Sequence, residues 1–162
     1  MTFLKRLVRP RRAAFSDGVI DLVPEELGSP DETLGIQVYY TFKICLCGTR
    51  RVAGQISLRV GESQGMYYLG HIGYHVNRAY QGHRYAQRAC RLLIPLCQAL
   101  KLRSLVITTD EDNTPSRKTC EGLGCVLESI VPVPLHFQHK YQLSPAKCRY
   151  IWLIPPKPAQ ES

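Results

Sequence analysis

Val76-Asn-Arg-Ala-Tyr-Gln-Gly-His-Arg-Tyr-Ala86 joins a strand-like run to a helix-like one, and its reading decides the fold. On its N-terminal side, Leu69 to Val76 is rich in apolar and aromatic residues, with Gly70 and Gly73 permitting a bulge or a close backbone approach. On its C-terminal side the period changes. Ala86, Ala89, Cys90, Leu93, Ile94, Cys97 and Leu100 recur at three- and four-residue steps, the apolar face of an amphipathic helix. Pro95 removes the bond to the Arg91 carbonyl and predicts a kink. Such a turn presents unpaired backbone N–H groups and the positive end of a helix dipole, a seat suited to a pyrophosphate.

Outward from the turn, alternation and turn residues predict strands over Val19 to Val23, Gly35 to Cys47, Val52 to Val60 and Tyr67 to Val76. Gly48 to Arg51 and Gly61 to Gly65 are the turns between the last three, and Pro24 to Thr33 is a turn-rich connection. Beyond the kinked helix come a buried strand at Ser104 to Thr109, a turn at Asp110 to Asn113 and a short helix at Thr114 to Leu123 ended by Gly124. Val126 to Val133 and Cys148 to Ile154 complete the sheet around a Pro- and His-containing loop at Pro134 to Ala146. Strands, helix, strand, helix, strands, with one right-handed crossover, make an α/β or mixed α+β domain.

Two segments together carry a resemblance. Gln81-x-x-Arg84-x-Ala86 resembles the acyl-CoA signature of the GNAT superfamily of N-acetyltransferases, Gln/Arg-x-x-Gly-x-Gly/Ala, with Arg84 in place of the central Gly. Asn113-x-x-Ser116-x-x-x-Cys120-x-x-x-Gly124-Cys125 resembles the family's Asn-x-x-Ala/Ser-x-x-x-Tyr-x-x-x-Gly-Phe, with Cys120 for the Tyr and Cys125 for the Phe. The strand Gly70-His-Ile-Gly-Tyr74 and the turn Asp110 to Lys118 are similar to those of a subgroup of predicted bacterial acetyltransferases. The resemblance spans Val19 to Ile154, behind a basic arm over 1–18 and ahead of a Pro-rich tail over 155–162.

The resemblance implies a twisted mixed sheet of six to seven strands flanked by two main helices. It also implies acetyl-CoA as co-substrate and direct transfer of the acetyl group to a primary amine in a ternary complex. Backbone groups of the fourth strand at Tyr74, His75 and Val76 would hold the thioester and pantetheine. Gln81, Gly82, His83, Arg84, Tyr85 and Ala86 would cradle the pyrophosphate, and Asn113 and Ser116 would meet the pantetheine arm. Arg84 has two readings: a guanidinium fork on a phosphate, or a side chain in the way of one. Asn113 equally suits an N-cap ahead of Pro115, and Tyr85 suits the core as well as a cofactor-facing position.

Candidates for the base are His71, Tyr74 and Glu111, with His71 also suited to a hydrogen-bonded structural position. Cys120 stands where the family places its leaving-group acid; a thiol of reference pKa about 8.5 can donate, and a buried inert Cys is the other reading. Only about a dozen residues separate the first two strands, too few for the two helices the family places there. An acceptor cleft left open, or one completed by the N-terminal arm or by a second subunit in a homodimer, follows.

Composition limits the alternatives. The 162 residues suit one domain, and 44% hydrophobic content supports one core. The formal charge of +8 suggests nucleic acid, yet Lys5, Arg6, Arg9, Arg11 and Arg12 crowd the start, and no helix-turn-helix, zinc-finger or RNP pattern follows. Arg78, His83, Arg84 and Arg88 instead cluster about the proposed phosphate turn. No apolar run is long enough for a membrane span and none resembles a signal peptide, so a cytoplasmic protein is expected. Seven cysteines, an odd number, suit reduced thiols; Cys45 and Cys47 read as packing residues rather than zinc ligands, and no metal is expected. A small-molecule or protein amine is the expected partner.

Overall fold

The computed structural model describes residues 12–25 and 28–159. Its first sheet has five strands in the order β1 (Phe15–Ser16), β2 (Ile20–Pro24), β3 (Ile36–Leu46), β4 (Val52–Gly61) and β5 (Ile72–Val76), every neighbouring pair antiparallel. The second sheet orders β6 (Ser104–Thr109), β8 (Ala146–Leu153) and β7 (Val126–Pro132), again antiparallel. The result is the expected mixed α+β fold, and Phe15 and Ser16 join its sheet ahead of Val19. Residues 1–11 of the basic arm lie outside the described residues.

Helix α1 (Gln64–Leu69) occupies part of the stretch where a strand was expected from Tyr67 onward. The aromatic pair Tyr67-Tyr68 favours extended chain in isolation, but the Ser63 hydroxyl accepts from the Met66 N–H at 3.0 Å and nucleates a turn. Gly70 ends it at φ 75°, where its N–H bonds the Met66 carbonyl. A Cβ there would meet the Val106 carbonyl oxygen at 2.9 Å, so Gly70 is also a close-approach residue. Arg149 fixes α1 from below: its guanidinium lies 3.6 Å from the Tyr67 ring centroid and donates to the Tyr67 carbonyl and to Glu128.

The kink at Pro95 is present. Helix α2 (Tyr85–Leu92) and helix α3 (Ile94–Ala99) meet at Leu93, whose N–H turns back to the Cys90 carbonyl at 3.0 Å. Their shared apolar face buries Ala86, Ala89, Cys90, Leu93, Leu96 and Cys97 against Ile20, Leu22, Ile56 and Leu58 of the first sheet. Each large aliphatic side chain so buried contributes about 1.5–3 kcal/mol. Helix α4 (Thr114–Gly122) follows β6 as expected, with Pro115 in its first turn. Helix α5 (Leu135–Tyr141) lies within the stretch read as loop. It is seven residues long and packs Phe137 against Tyr68 at 5.4 Å between centroids, a contact sequence periodicity does not carry.

Between β2 and β3 the described residues contain no helix. Glu25 and Gly28 instead bond to Thr41 and Tyr39 of β3, so that this stretch continues the sheet.

Candidate functional site

The two sheets meet at His71. Its N–H donates to the Val106 carbonyl at 2.8 Å, while its Nδ1 accepts from the Val106 N–H at 2.9 Å. The ring proton therefore sits on Nε2, which donates to Glu62 Oε1 at 3.0 Å. Past this seam β5 and β6 advance in the same sense and part: a cavity of about 180 Å³ is lined by Ile72, Gly73 and Tyr74 on one side and Thr108, Thr109 and Asp110 on the other. Asn113 and Ser116 border it from α4, Leu69 from α1, and Leu143 and Lys147 from beyond α5.

The phase of β5 decides which backbone groups face the gap. Asn77 donates to the Ala53 carbonyl at 2.7 Å, so the alternation of an antiparallel strand turns Tyr74 and Val76 outward, away from β4. These groups offer an edge to an extended ligand. Gly54 permits the strands to lie this close, since a Cβ would meet the His75 carbonyl oxygen at 2.1 Å. His75 itself is exposed at that edge.

The gap leads to the candidate anion turn, Asn77 to Ala86. A 3-10 turn (Arg78–Tyr80) and Gln81 to His83 lead into α2, with the Gln81 amide donating to the Val76 carbonyl at 3.1 Å. His83 stacks on Tyr85 at 5.2 Å, and its Nδ1 lies 3.1 Å from the Gln81 carbonyl oxygen. Gly82 has φ 87° and open space around its Cα. Arg84 caps the helix in the left-handed conformation, φ 58° and ψ 29°, without a side-chain cap bond. The first bond inside α2 is Arg88 N–H to the Arg84 carbonyl, which leaves the N–H groups of Tyr85, Ala86 and Gln87 without intrahelical acceptors. Arg78 and Arg84 are exposed and have no carboxylate partner among the described residues, whereas Arg88 is held by Asp17 at 2.8 Å. Bare amides, a helix N-terminus and two unengaged guanidiniums are the donor set a pyrophosphate requires, so the residues present fit a CoA ester.

Inside the cavity, the Tyr74 hydroxyl lies 2.8 Å from Ser116 Oγ. Burial pushes the phenol well above its ordinary value, so it stays protonated and is no base. Ser116 is positioned by Asn113, whose Oδ1 accepts the Ser116 N–H at 3.2 Å; Asn113 is thus the N-cap of α4 and borders the cavity as well. Cys120 is fully buried and does not line the cavity. The hydrogen bond with Cys125, then burial, push its thiol far up. Glu111 is exposed and outside the cavity lining; the half-buried His71 ring also lies outside it, with both nitrogens engaged.

Arg59, Thr109, Asp110 and Lys147 also border the cavity, and no sequence motif marks them as cavity residues. Arg59 sits in the alternating run Gln55 to Val60, where it reads as an ordinary solvent-facing residue. Among the described residues no group of three or more His, Cys, Asp or Glu side chains is placed to hold a metal ion, and no helix is long and apolar enough to cross a membrane. All seven cysteines are free thiols.

This arrangement matches known folds. Ribosomal-protein-S5-alanine acetyltransferase from Vibrio fischeri is 19% identical over 76% of this chain and 63% of its own, with a TM-score of 0.57. An acetyltransferase of the GNAT family from Bacillus anthracis is 22% identical over 70% of this chain and 65% of its own, TM-score 0.56. The microcin C7 self immunity acetyltransferase MccE, solved with acetyl-CoA and AMP, is 21% identical over 72% and 61%, TM-score 0.54. The chain thus spans less than two thirds of the length of these structures, and the likeness at such identity is one of fold. No curated protein matches the sequence. The model of the acetyltransferase (GNAT) domain, however, matches residues 26–126, a stretch that holds β3 to β6, the seam at His71, the anion turn and α4. With more than half its length in that match and the parted strands running into a bare helix N-terminus, the chain belongs to the GNAT acetyltransferase family.

Proposed function

We propose that the protein is an acetyl-CoA-dependent N-acetyltransferase that moves the acetyl group directly to a primary amine held beside it. The observation that carries this is the continuity of three features: the cavity at Tyr74, the outward backbone edge of β5, and the uncapped start of α2. Gln81 to Ala86 would take the pyrophosphate, with Arg78 and Arg84 supplying charge, and Tyr74, His75 and Val76 would run along the pantetheine. Acetyl-CoA supplies an acetyl group already activated as a thioester. The amine nitrogen forms the new C–N bond and sheds one proton, the C–S bond breaks with its electron pair on sulfur, and sulfur gains one proton.

In this reading Tyr74 gives that proton. It reaches from a strand toward α4, where Cys120 is too buried to meet a ligand, and Ser116 holds its hydroxyl. His71 is a positioning residue in this scheme, since Nδ1 serves the seam and Nε2 is bonded to Glu62. No step calls for a metal, a membrane or nucleic acid. The acceptor is an amine on a small molecule or a protein; the Vibrio fischeri neighbour, by its name, acts on an alanine of a ribosomal protein.

Calorimetric titration with acetyl-CoA and CoA, followed by thiol release with a panel of amines, tests the proposal. Saturable binding of both and transfer to at least one amine are expected, and Tyr74→Phe should lower kcat by about 100-fold with CoA affinity nearly unchanged. Absence of binding overturns the reading. Binding without transfer to any amine favours the second reading, a GNAT-shaped acyl-CoA-binding module, to which the Cys120 and Arg84 exchanges point.

A further inference from the structure

The cavity carries charges whose arrangement goes beyond acetyl transfer to an unspecified amine. Arg59 lines it with a half-buried guanidinium. Of its five N–H donors, one bonds the Gly70 carbonyl at 3.2 Å, and no carboxylate among the described residues neutralises it. Gly73 seats it: a Cβ on Gly73 would lie 2.7 Å from Arg59 Nη2 and 3.3 Å from Nη1, so the fork rests against bare backbone. Burial draws the guanidinium below its ordinary value, the expected cost of an unpaired charge away from water.

The other charges are arranged differently. Lys147 and Ser144 both donate to Asp110 Oδ1, each at 2.5 Å, which leaves Oδ2 without a hydrogen-bond partner among the described residues. Lys147 and Asp110 offset one another, and Arg59 leaves the cavity with one net positive charge. Thr109, a residue only 3% exposed that also borders the cavity, has an Oγ1 without a hydrogen-bond partner among the described residues. Orphaned polar groups at one cavity point to a ligand that satisfies them.

We propose that Arg59 reads a carboxylate on the acceptor, and that the acceptor is a small amino carboxylate whose amine end faces the free oxygen of Asp110. This rests on the acetyl-transfer reading. A guanidinium fork matches a carboxylate in two parallel hydrogen bonds, and a single charge balances a single charge, where a phosphate would leave an excess of negative charge. Size agrees: about 180 Å³ is the space of roughly six waters at about 30 Å³ each, enough for a small head group. Polyamines meet the wrong sign at Arg59.

The test compares amino carboxylates with their own carboxamides: glycine, β-alanine, aspartate and glutamate, each paired, with rates referred to free-amine concentration. The full chain is assayed by thiol release at saturating acetyl-CoA, and the same pairs are titrated onto the CoA-loaded protein. The carboxylate member should be preferred at least tenfold in kcat/KM or in Kd. Arg59→Met should reduce that preference below threefold while the KM for acetyl-CoA stays the same, and Arg59→Lys should keep part of it. Gly73→Ala is the independent variant, because the group it displaces is the flexible end of a side chain; it should weaken the preference and leave the melting temperature near that of the parent. Equal use of both members, a preference that survives Arg59→Met in a folded protein, or transfer confined to peptide N-termini overturns the inference while CoA binding stands. Failure to bind CoA overturns the acetyl-transfer reading, and this inference with it.

Discussion

The anion turn and the cavity adjoin one another, yet they are built in opposite ways. From Asn77 to Ala86 the turn uses ten consecutive residues and mostly their backbone: the unpaired N–H groups of α2, the positive φ of Gly82 and Arg84, and the Gln81 amide returning to Val76. The cavity draws Arg59 from β4, Tyr74 from β5, Thr109 from β6, Ser116 from α4 and Lys147 from β8. A site made of contiguous backbone tolerates changes of side chain; one made of converging side chains depends on the seam that brings them together. The tolerance is visible at Arg84, a residue type that occupies a left-handed conformation only at a cost of about 1–2 kcal/mol.

The sharpest way to break this distinction is Gly54→Val. Its side chain would collide with the His75 carbonyl and force β4 from β5, which should cost about 3 kcal/mol or more and abolish both CoA binding and transfer. Chemical denaturation with a parallel CoA titration measures it. His71→Leu comes next. Loss of the ring acceptor leaves the Val106 N–H unpaired, so a stability loss of about 2 kcal/mol is expected, with activity falling in proportion to the folded fraction. A catalytic base would instead show full stability and a collapsed kcat, and thermal melts beside steady-state rates separate the two.

Arg84→Gly sharpens the turn. Relief of the left-handed strain should stabilise the protein by about 1 kcal/mol, while removal of an unengaged guanidinium at the anion seat should weaken CoA binding by roughly tenfold. Opposite signs in melting temperature and Kd identify a phosphate ligand; a tighter Kd identifies an intruding side chain. Cys120→Ser should have the smallest effect, with CoA affinity within about twofold and a stability loss of about 1 kcal/mol from a buried hydroxyl beside Cys125. Calorimetry checks the first value and thermal melts the second.

Those contrasts explain which parts were legible in the chain. The kinked helix was, because Ala86 to Cys97 repeats one face and Pro95 breaks one bond. The cap of α4 was also legible, because Asn113 acts on a residue three positions away. Helix α1 was not, because the intrinsic preference of Tyr67 and Tyr68 for extended chain is overcome by the Ser63 cap and by the grip of Arg149, 82 positions further on. Helix α5 was hidden by its length. Arg59 was hidden by its pattern, since alternation states which residues share a face but not that part of the face is walled by Leu69 and Leu143.

By itself, the sequence determined most of the elements, the strand-to-helix turn ahead of α2 and the family resemblance, because capping, periodicity and motif spacing act within a few residues along the chain. Only the tertiary structure decided what His71 does, why Cys120 is out of reach, and that an unneutralised Arg59 meets Thr109 and the free oxygen of Asp110 at one cavity. Burial and charge balance are properties of a place where distant segments meet, and a linear pattern does not contain that place.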